Sequence, residues 1–261
     1  MTTKVDQAAA LLARAHERKE AFAPFAAVHA IADLAGAYAV QDLLVARLAA
    51  RAGKPVGYKV GLTSPRMQAM CRIDQPIAGV VLASRVYRSG DSIPLSRFVH
   101  AGLEFEVGIR MGKDLPARTA PYSRADVAGA VEAVCPAFEV IEDRGADYKK
   151  LDVLELVAEN SWNGGIVLGA FQPKWPDLEA IEGVVEHNGA RIDRGYGRDV
   201  LGHPFEPLAW LANHLGKRGS MLRRGDVVLT GSMAPTRFPV PGDRFRFALA
   251  GLGEVSAAFT A

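Results

Sequence analysis

FVHAGLEFEVGIRMGKDL, Phe98 to Leu115, alternates Leu103, Phe105, Val107 and Ile109 with Glu104, Glu106 and Gly108, a period of two that spells a β-strand. Side chains two apart on a strand share a face, about 7 Å from each other at roughly 3.3 Å per residue, so Glu104 and Glu106 project to the same side. Two carboxylates so placed can converge on a hard divalent cation such as Mg²⁺, or they can line the solvated outer face of an amphipathic strand. Taken alone, the stretch fits the solvated face better.

The chain around this strand has 261 residues, enough to bury a substantial core as one large domain or a domain with a small appendage. Lys plus Arg number 31 against 29 Asp plus Glu, a formal net charge of +2, and no dense basic run asks for nucleic acid. The expected partner is a small molecule. No apolar stretch approaches the ~20 residues of a membrane helix, and the charged start MTTKVDQAAALLARAHERKE lacks a signal-peptide pattern, which predicts a soluble, cytoplasmic protein. Cys71 and Cys135 have no metal-ligand or CxxC spacing and read as buried, reduced thiols.

Upstream, Asp6 to about Phe22 predicts a helix with Asp6 as its cap, and Ala37 to Arg51 a second one stopped by Gly53. The two make a helical N-terminal layer over residues 1–53, followed by a core over residues 54–261, the whole expected as one continuous domain. In KPVGYKVGLT, Val56, Tyr58, Val60 and Leu62 alternate with Gly57, Lys59, Gly61 and Thr63. Glycines in a strand mark close approach of a ligand or another backbone, so Lys59 either projects from a pocket floor or is an exposed edge lysine. Ser64 and Pro65 open a short helix ending near Cys71, and Asp74 to Gly79 reads as a turn.

Downstream, the capping-box pattern of Ser123 to Asp126 predicts a helix with Val127, Ala130, Val131 and Val134 on one stripe and Pro136 at its close. AFEVIEDR then places Glu139 in a buried strand. A buried carboxylate needs a partner, either a metal ion shared with Glu104 and Glu106 or an ion pair with Arg144. A helix over Leu151 to Ala158 is broken by the tight loop ENSWNGG, GVVEHNGARID turns at Asn188-Gly189, and a helix carries Leu208, Leu211, Ala212 and Leu215. His203, ahead of a proline, fits a structural loop. GDVVLTG and GDRFRFALAGLGEVSAAF alternate as strands. Strands dominate after residue 54 without strict β-α alternation, which predicts an α+β fold with a mixed sheet or roll.

In this order and spacing, YKVGLTS (Tyr58–Ser64), LEFEV, CPAFEVIEDR, AENSWNGG (Ala158–Gly165), LGHPFEPLAWLAN (Leu201–Asn213) and GDVVLTG (Gly225–Gly231) resemble the 2-keto-4-pentenoate hydratase family. That family lies within the fumarylacetoacetate hydrolase superfamily, and the resemblance spans nearly the whole chain. It implies a mixed β-roll core, a Mg²⁺ or Mn²⁺ ion, and homo-oligomers, either dimers or rings of dimers. By position it implies Glu104, Glu106 and Glu139 as metal ligands, Lys59 as the pocket lysine, Lys59 and Glu106 as catalytic groups, and Ser161 and Thr230 at the substrate. The implied reaction is hydration of a 2-hydroxy-2,4-dienoate to a 4-hydroxy-2-oxo acid in aromatic-compound catabolism.

Two positions depart from the family pattern. Where many of the hydratases carry Pro-Asp, an aromatic residue and Gly, this chain has Pro76, Ile77, Ala78 and Gly79, which resembles the related metal-dependent 2-oxo acid decarboxylases of the 4-oxalocrotonate type. Before the glutamate pair, Ala101 and Gly102 replace the usual Pro and basic residue. Acylpyruvate hydrolysis, or service as a non-catalytic partner subunit, are further alternatives that the superfamily allows.

Overall fold

The computed structural model describes residues 3–261. Helix α1 (Lys4–Arg18) is capped by Thr3, whose hydroxyl accepts the Asp6 N–H at 3.1 Å while the Asp6 carboxylate accepts the Thr3 N–H. Asp6 is therefore the acidic half of a capping box inside the first turn, three residues after the Thr3 cap, and not the cap it was expected to be. Lys19, left-handed at φ 52°, ends the helix before Phe22. Helix α2 (Leu34–Ala52) begins at an Asp33 cap and stops at Gly53, φ 78°.

Strand β1 (Pro55–Gly61) follows, then α3 (Pro65–Met70) with Ser64 as cap, and β2 (Ile77–Leu82). The residues Ile77 to Gly79, expected in a turn, thus begin a strand: all three pair with β1, Ile77 opposite Gly61 and Gly79 opposite Lys59. Short strands β3 (Val86–Arg88) and β4 (Ser92–Pro94) lead into β5 (Ala101–Met111).

The Ser123 capping box forms, yet α4 spans only Arg124–Ala128, and Val131 to Glu142 is one long strand, β6. The helical stripe through Val131 and Val134 is overridden by pairing: β6 runs antiparallel to β5 along almost its full length, where β-branched side chains pack well. Pro136 survives mid-strand because β6's ladder to its other neighbour is interrupted there, ending at Ala137–Leu168 and resuming as a bridge at Val134–Gln172.

After β6 come α5 (Val153–Ala158), β7 (Asn163–Leu168), the hairpin of β8 (Glu182–His187) and β9 (Ala190–Tyr196), α6 (Phe205–Lys217), β10 (Val227–Ser232), β11 (Arg244–Leu249) and β12 (Gly253–Thr260). The hairpin turns at Asn188 and Gly189, both at positive φ. A mixed seven-stranded sheet has the order β2-β1-β10-β5-β6-β7-β3, and a five-stranded sheet the order β4-β12-β11-β8-β9.

The sheets pack face to face. Phe105 of β5 meets Phe138 edge-on at 5.6 Å and Phe247 of β11 at 5.7 Å, so the apolar side of the 98–115 stretch faces the second sheet. Ala8, Leu12 and Leu44 of the leading helices belong to the same buried cluster as Phe105 and Val140. Among the described residues, no helix is long and apolar enough to cross a membrane. The α+β architecture with a mixed sheet core agrees with the sequence expectation.

Candidate active site

The opposite side of β5 is not solvated. Antiparallel register sets Glu104 of β5 directly across from Glu139 of β6, and Glu106 lies one step along, across from Ala137. One oxygen from each of Glu104, Glu106 and Glu139 lies within 4.8 Å of the others. Like charges opposed across a ladder repel, and here Glu106 and Glu139 are fully buried. Their neighbours on the face are apolar: Ala137, Ile166 and Leu229 form a small buried cluster beside them. The arrangement needs compensation.

Part of it is hydrogen bonding. Gly231 N–H donates to Glu106 Oε2 at 2.6 Å, Asn163 Nδ2 to Glu139 Oε1 at 3.0 Å, and the Thr236 hydroxyl to Glu104 Oε1 at 2.9 Å. Gly231 can do so only as glycine. Its φ is 109°, and a Cβ there would lie 1.9 Å from Thr63 Oγ1. Each bond fixes one oxygen and leaves the other turned toward the common centre. Glu106 Oε1 and Glu139 Oε2 are buried with no hydrogen-bond donor.

The rest is Lys59. It is 4% exposed on an interior strand, which removes the edge-lysine reading, and its Nζ lies 3.1 Å from Glu139 Oε2 in ion-pair contact. The glycines around it now have a reason. Gly79, across the ladder, gives passage to the lysine stem, since a Cβ there would stand 3.2 Å from Lys59 Cγ and 2.5 Å from Asn160 O. A Cβ on Gly61 would crowd Nζ itself at 3.2 Å. Arg144, the other candidate partner for Glu139, instead pairs with buried Glu159 and donates to Glu20 O at 2.9 Å.

Burial raises the Glu106 pKa well above the carboxylate range, with Glu139 and Glu104 adding repulsion that Lys59 and the Gly231 N–H only partly offset. Glu139 is pushed up to about 7, first by burial and then by Glu104, even with Lys59 alongside. For Lys59, burial pulls downward, but Glu139, Glu104 and Glu106 together outweigh it and raise the value. The ammonium is held charged by a face with an excess of carboxylate.

A cavity of about 430 Å³ opens over this face. Lys59, Glu104, Ser161 and Gly231 lie along it, while Met67, Met70, Ile77, Ile141, Leu156 and Trp162 supply apolar wall. One wall depends on strained backbone: Asn160, Ser161 and Trp162 are all left-handed, at φ 55°, 49° and 57°. Their side chains compensate. The Asn160 amide pairs with both backbone groups of Val80 on the edge strand β2, at 2.7 and 2.9 Å, and Ser161 Oγ donates to Ala78 O at 2.8 Å. Gln41 of α2 bridges the same Ala78 carbonyl to Val157 O, tying the helical layer to this wall.

The structure thus brings Lys59, Glu104, Glu106, Glu139 and Ser161 together. Thr230 is adjacent but turned away, fully buried with its hydroxyl donated to Val107 O at 3.1 Å, and the cavity wall begins at Gly231. Asn163, Thr236 and Gly231 were missed in the sequence. Asn163 and Gly231 lie inside ENSWNGG and GDVVLTG and were within reach, whereas nothing around Thr236 marks it. Tyr148, which also lines the cavity, donates to buried Asp143 at 2.8 Å, and Asp143 pairs with His100 at 2.7 Å. His203 has a structural bond, its Nδ1 accepting the Phe205 N–H at 2.9 Å.

A carboxylate trio beside a buried lysine, on a mixed-sheet core with an apolar cavity, defines a class of enzyme. The chain belongs to the family described as Fumarylacetoacetate (FAA) hydrolase C-terminal, which matches residues 59–260. Over nearly full length it is similar to 2-keto-4-pentenoate hydratases: 34% identical to 2-keto-4-pentenoate hydratase 1 of Dechloromonas aromatica, covering 97% of this chain and 96% of that one. The TodF product hydratase of Pseudomonas putida is 32% identical, with 99% and 96% covered. Among solved structures, 4-oxalocrotonate decarboxylase from Pseudomonas putida G7, complexed with magnesium and adipate, superposes with a TM-score of 0.91 at 30% identity, covering 98% of this chain and 97% of that one.

Proposed function

We propose that this protein is a divalent-metal-dependent hydro-lyase that hydrates a 2-hydroxy-2,4-dienoate to a 4-hydroxy-2-oxo acid. The observation that carries the reading is the buried oxygens Glu106 Oε1, which has no partner, and Glu139 Oε2, met by Lys59 alone, which together with Glu104 aim at one centre. Hard oxygen donors of this kind suit Mg²⁺ or Mn²⁺, so the residues fit the ion. When bound, such an ion supplies Lewis acidity to a chelating 2-oxo acid.

The chain's own groups do the remainder. Lys59 faces the carboxylates and neutralises charge that develops on the substrate's enolate or carboxylate oxygens. Glu106, its Oε2 fixed by the Gly231 N–H, turns its free Oε1 toward the centre where the ion would sit. Ser161 presents its backbone and hydroxyl at the cavity wall, and Thr230 positions the Gly231 N–H by anchoring β10 to β5. The apolar wall accommodates the hydrocarbon end of the dienoate and excludes water from it. Assembly into homo-oligomers belongs to the same proposal and is read by sedimentation.

Ile77 favours one second reading. It lies in the cavity wall next to Gly61, where it offers no proton, and loss of CO₂ from a vinylogous β-keto acid tolerates an apolar residue there. Protein supplied with Mg²⁺ or Mn²⁺ is therefore given 2-hydroxypenta-2,4-dienoate, a 2-oxohex-3-enedioate and an acylpyruvate, with absorbance, CO₂ and products followed. Hydration of the dienoate is expected. Release of CO₂ alone would replace the hydratase reading with the decarboxylase one.

A further inference from the structure

A second cavity, about 120 Å³, lies behind the carboxylate platform, between the end of α1, the start of β3, the approach to β5 and the first residues of β7. Its charged lining is lopsided: His16, Lys19, Arg85, Arg97 and Arg144 against Glu142 alone. Two of these basic side chains are already engaged, since His16 and Arg144 both contact Glu159. Glu142 is engaged as well, accepting the N–H groups of Val99, His100 and Arg144 at 2.8 to 3.1 Å.

Lys19, Arg85 and Arg97 remain. Among the described residues, none of them has a carboxylate within ion-pair distance. Arg85 donates one nitrogen to Asn163 O at 2.9 Å, Lys19 caps Ser96 O at 2.5 Å, and Arg97 lies over the Tyr87 ring at 5.6 Å. Arg85 is the built element. It is half-buried, its guanidinium pKa is pulled down chiefly by burial, against the opposing pull of Tyr87 and Glu142 and with Arg97 adding a little, and its backbone is locked against Gly165, where a Cβ would stand 2.8 Å from Arg85 O. A guanidinium half-buried next to a second one has a backbone carbonyl as its acceptor and, for its nearest anion, a Glu142 already accepting three backbone N–H groups, so a bound oxyanion would complete the set.

We propose that this cavity is a binding site for a small oxyanion, a phosphate or a short carboxylate, held between the guanidinium groups of Arg85 and Arg97 with Lys19 at the rim. Guanidinium forks match such oxygens bidentately. A cavity of about 120 Å³ has room for phosphate or a short dicarboxylate. The site is separate from the substrate cavity. Asn163 stands between them, its carbonyl on Arg85 and its amide on Glu139.

The test is calorimetric titration and thermal shift on the Mg²⁺-supplemented protein, with potassium phosphate in one arm, sodium succinate in another, and chloride at matched ionic strength as control. Saturable binding of phosphate, of succinate, or of both is expected, each outcome naming the ligand chemistry. Arg85→Met should weaken it about tenfold or more, the loss of one charge-assisted contact. Arg97→Met, at an exposed position, should weaken it in the same direction and keeps the test decisive if Arg85→Met folds poorly. Glu106→Gln, altered only in the carboxylate platform, should retain it. Binding unchanged in both arginine variants, lost in Glu106→Gln, or matched by chloride would overturn the assignment.

Discussion

Replacing Lys59 by methionine keeps the length of the stem in its glycine-lined passage and removes only the charge. The consequence can be worked out from the geometry. One ammonium, 3.1 Å from Glu139, is among the described residues the sole cation paired with three clustered carboxylates, two of them fully buried. Removing one partner of a buried pair costs about 3 to 5 kcal/mol, because the other is left without compensation. Glu139, already at about 7, would move higher and take up a proton, which keeps the cost toward the lower end of that range. In a chain of this size such a loss lowers the melting midpoint by on the order of 10 °C. Excess Mg²⁺ should restore most of it, since the ion supplies the missing positive charge, and the Mg²⁺-induced rise should exceed that of the unmodified protein. Turnover of the dienoate should fall even with Mg²⁺ saturating. Differential scanning calorimetry with and without Mg²⁺ reads the first two effects. A metal-free Lys59→Met protein that melts with the original, and gains no more from Mg²⁺, would refute the view that Lys59 is the charge balance of this face.

Three further outcomes follow from the same site. Without metal, stability should fall as pH rises from about 4.5 to about 7, because the folded state holds Glu139's proton over a range where the unfolded chain has released it; the change is about 3 kcal/mol and should vanish with saturating Mg²⁺, and a flat urea-midpoint profile would contradict it. Glu106→Gln should keep the acceptor for Gly231 N–H and relieve repulsion, so the metal-free protein melts no lower, while Mg²⁺ affinity measured by calorimetry drops beyond the roughly 10 to 100-fold typical of outer-shell changes; undiminished affinity would remove Glu106 from the ligand set. Gly231→Ala, with its φ of 109° and a Cβ 1.9 Å from Thr63 Oγ1, should cost about 3 kcal/mol or more in chemical unfolding, and an unchanged midpoint would show that β10 can shift at no expense.

Much of this was visible in the sequence because period-two alternation survives on β5, β10, β11 and β12, and because Asn188-Gly189 and Ser64-Pro65 carry their own local chemistry. The face of Glu104 and Glu106 could not be judged from alternation alone. Alternation tells which side chains point together, not whether a neighbouring segment covers them, and the cover here comes from Lys59 and Gly231, distant in sequence. The segment Val127 to Val134 misled for a related reason. Its valines satisfy a helical stripe and a strand equally, and the decision rests on the β5 ladder, a tertiary contact. Thr236 was unreadable since its single hydrogen bond to Glu104 comes from a loop with no pattern. Gly79 could be understood only once β2 was seen to run beside Lys59.

The strand order has a bearing on how the molecule comes into being. The charged face draws on residue 59, residues 104 to 106, residue 139, the 160–163 turn and residue 231, joined through β1, β10, β5, β6 and β7 in an order that is not the order of synthesis. Pairings this far apart in sequence form slowly, and β10 must insert between β1 and β5 before Gly231 can reach Glu106. The three carboxylates come together on the neighbouring strands β5 and β6, but the Lys59 ammonium and the Gly231 N–H that compensate them arrive only in chains where β1 and β10 have joined the sheet. Before those strands arrive, the trio stands with no ammonium beside it, and a divalent ion would be the strongest compensation open to a half-built sheet.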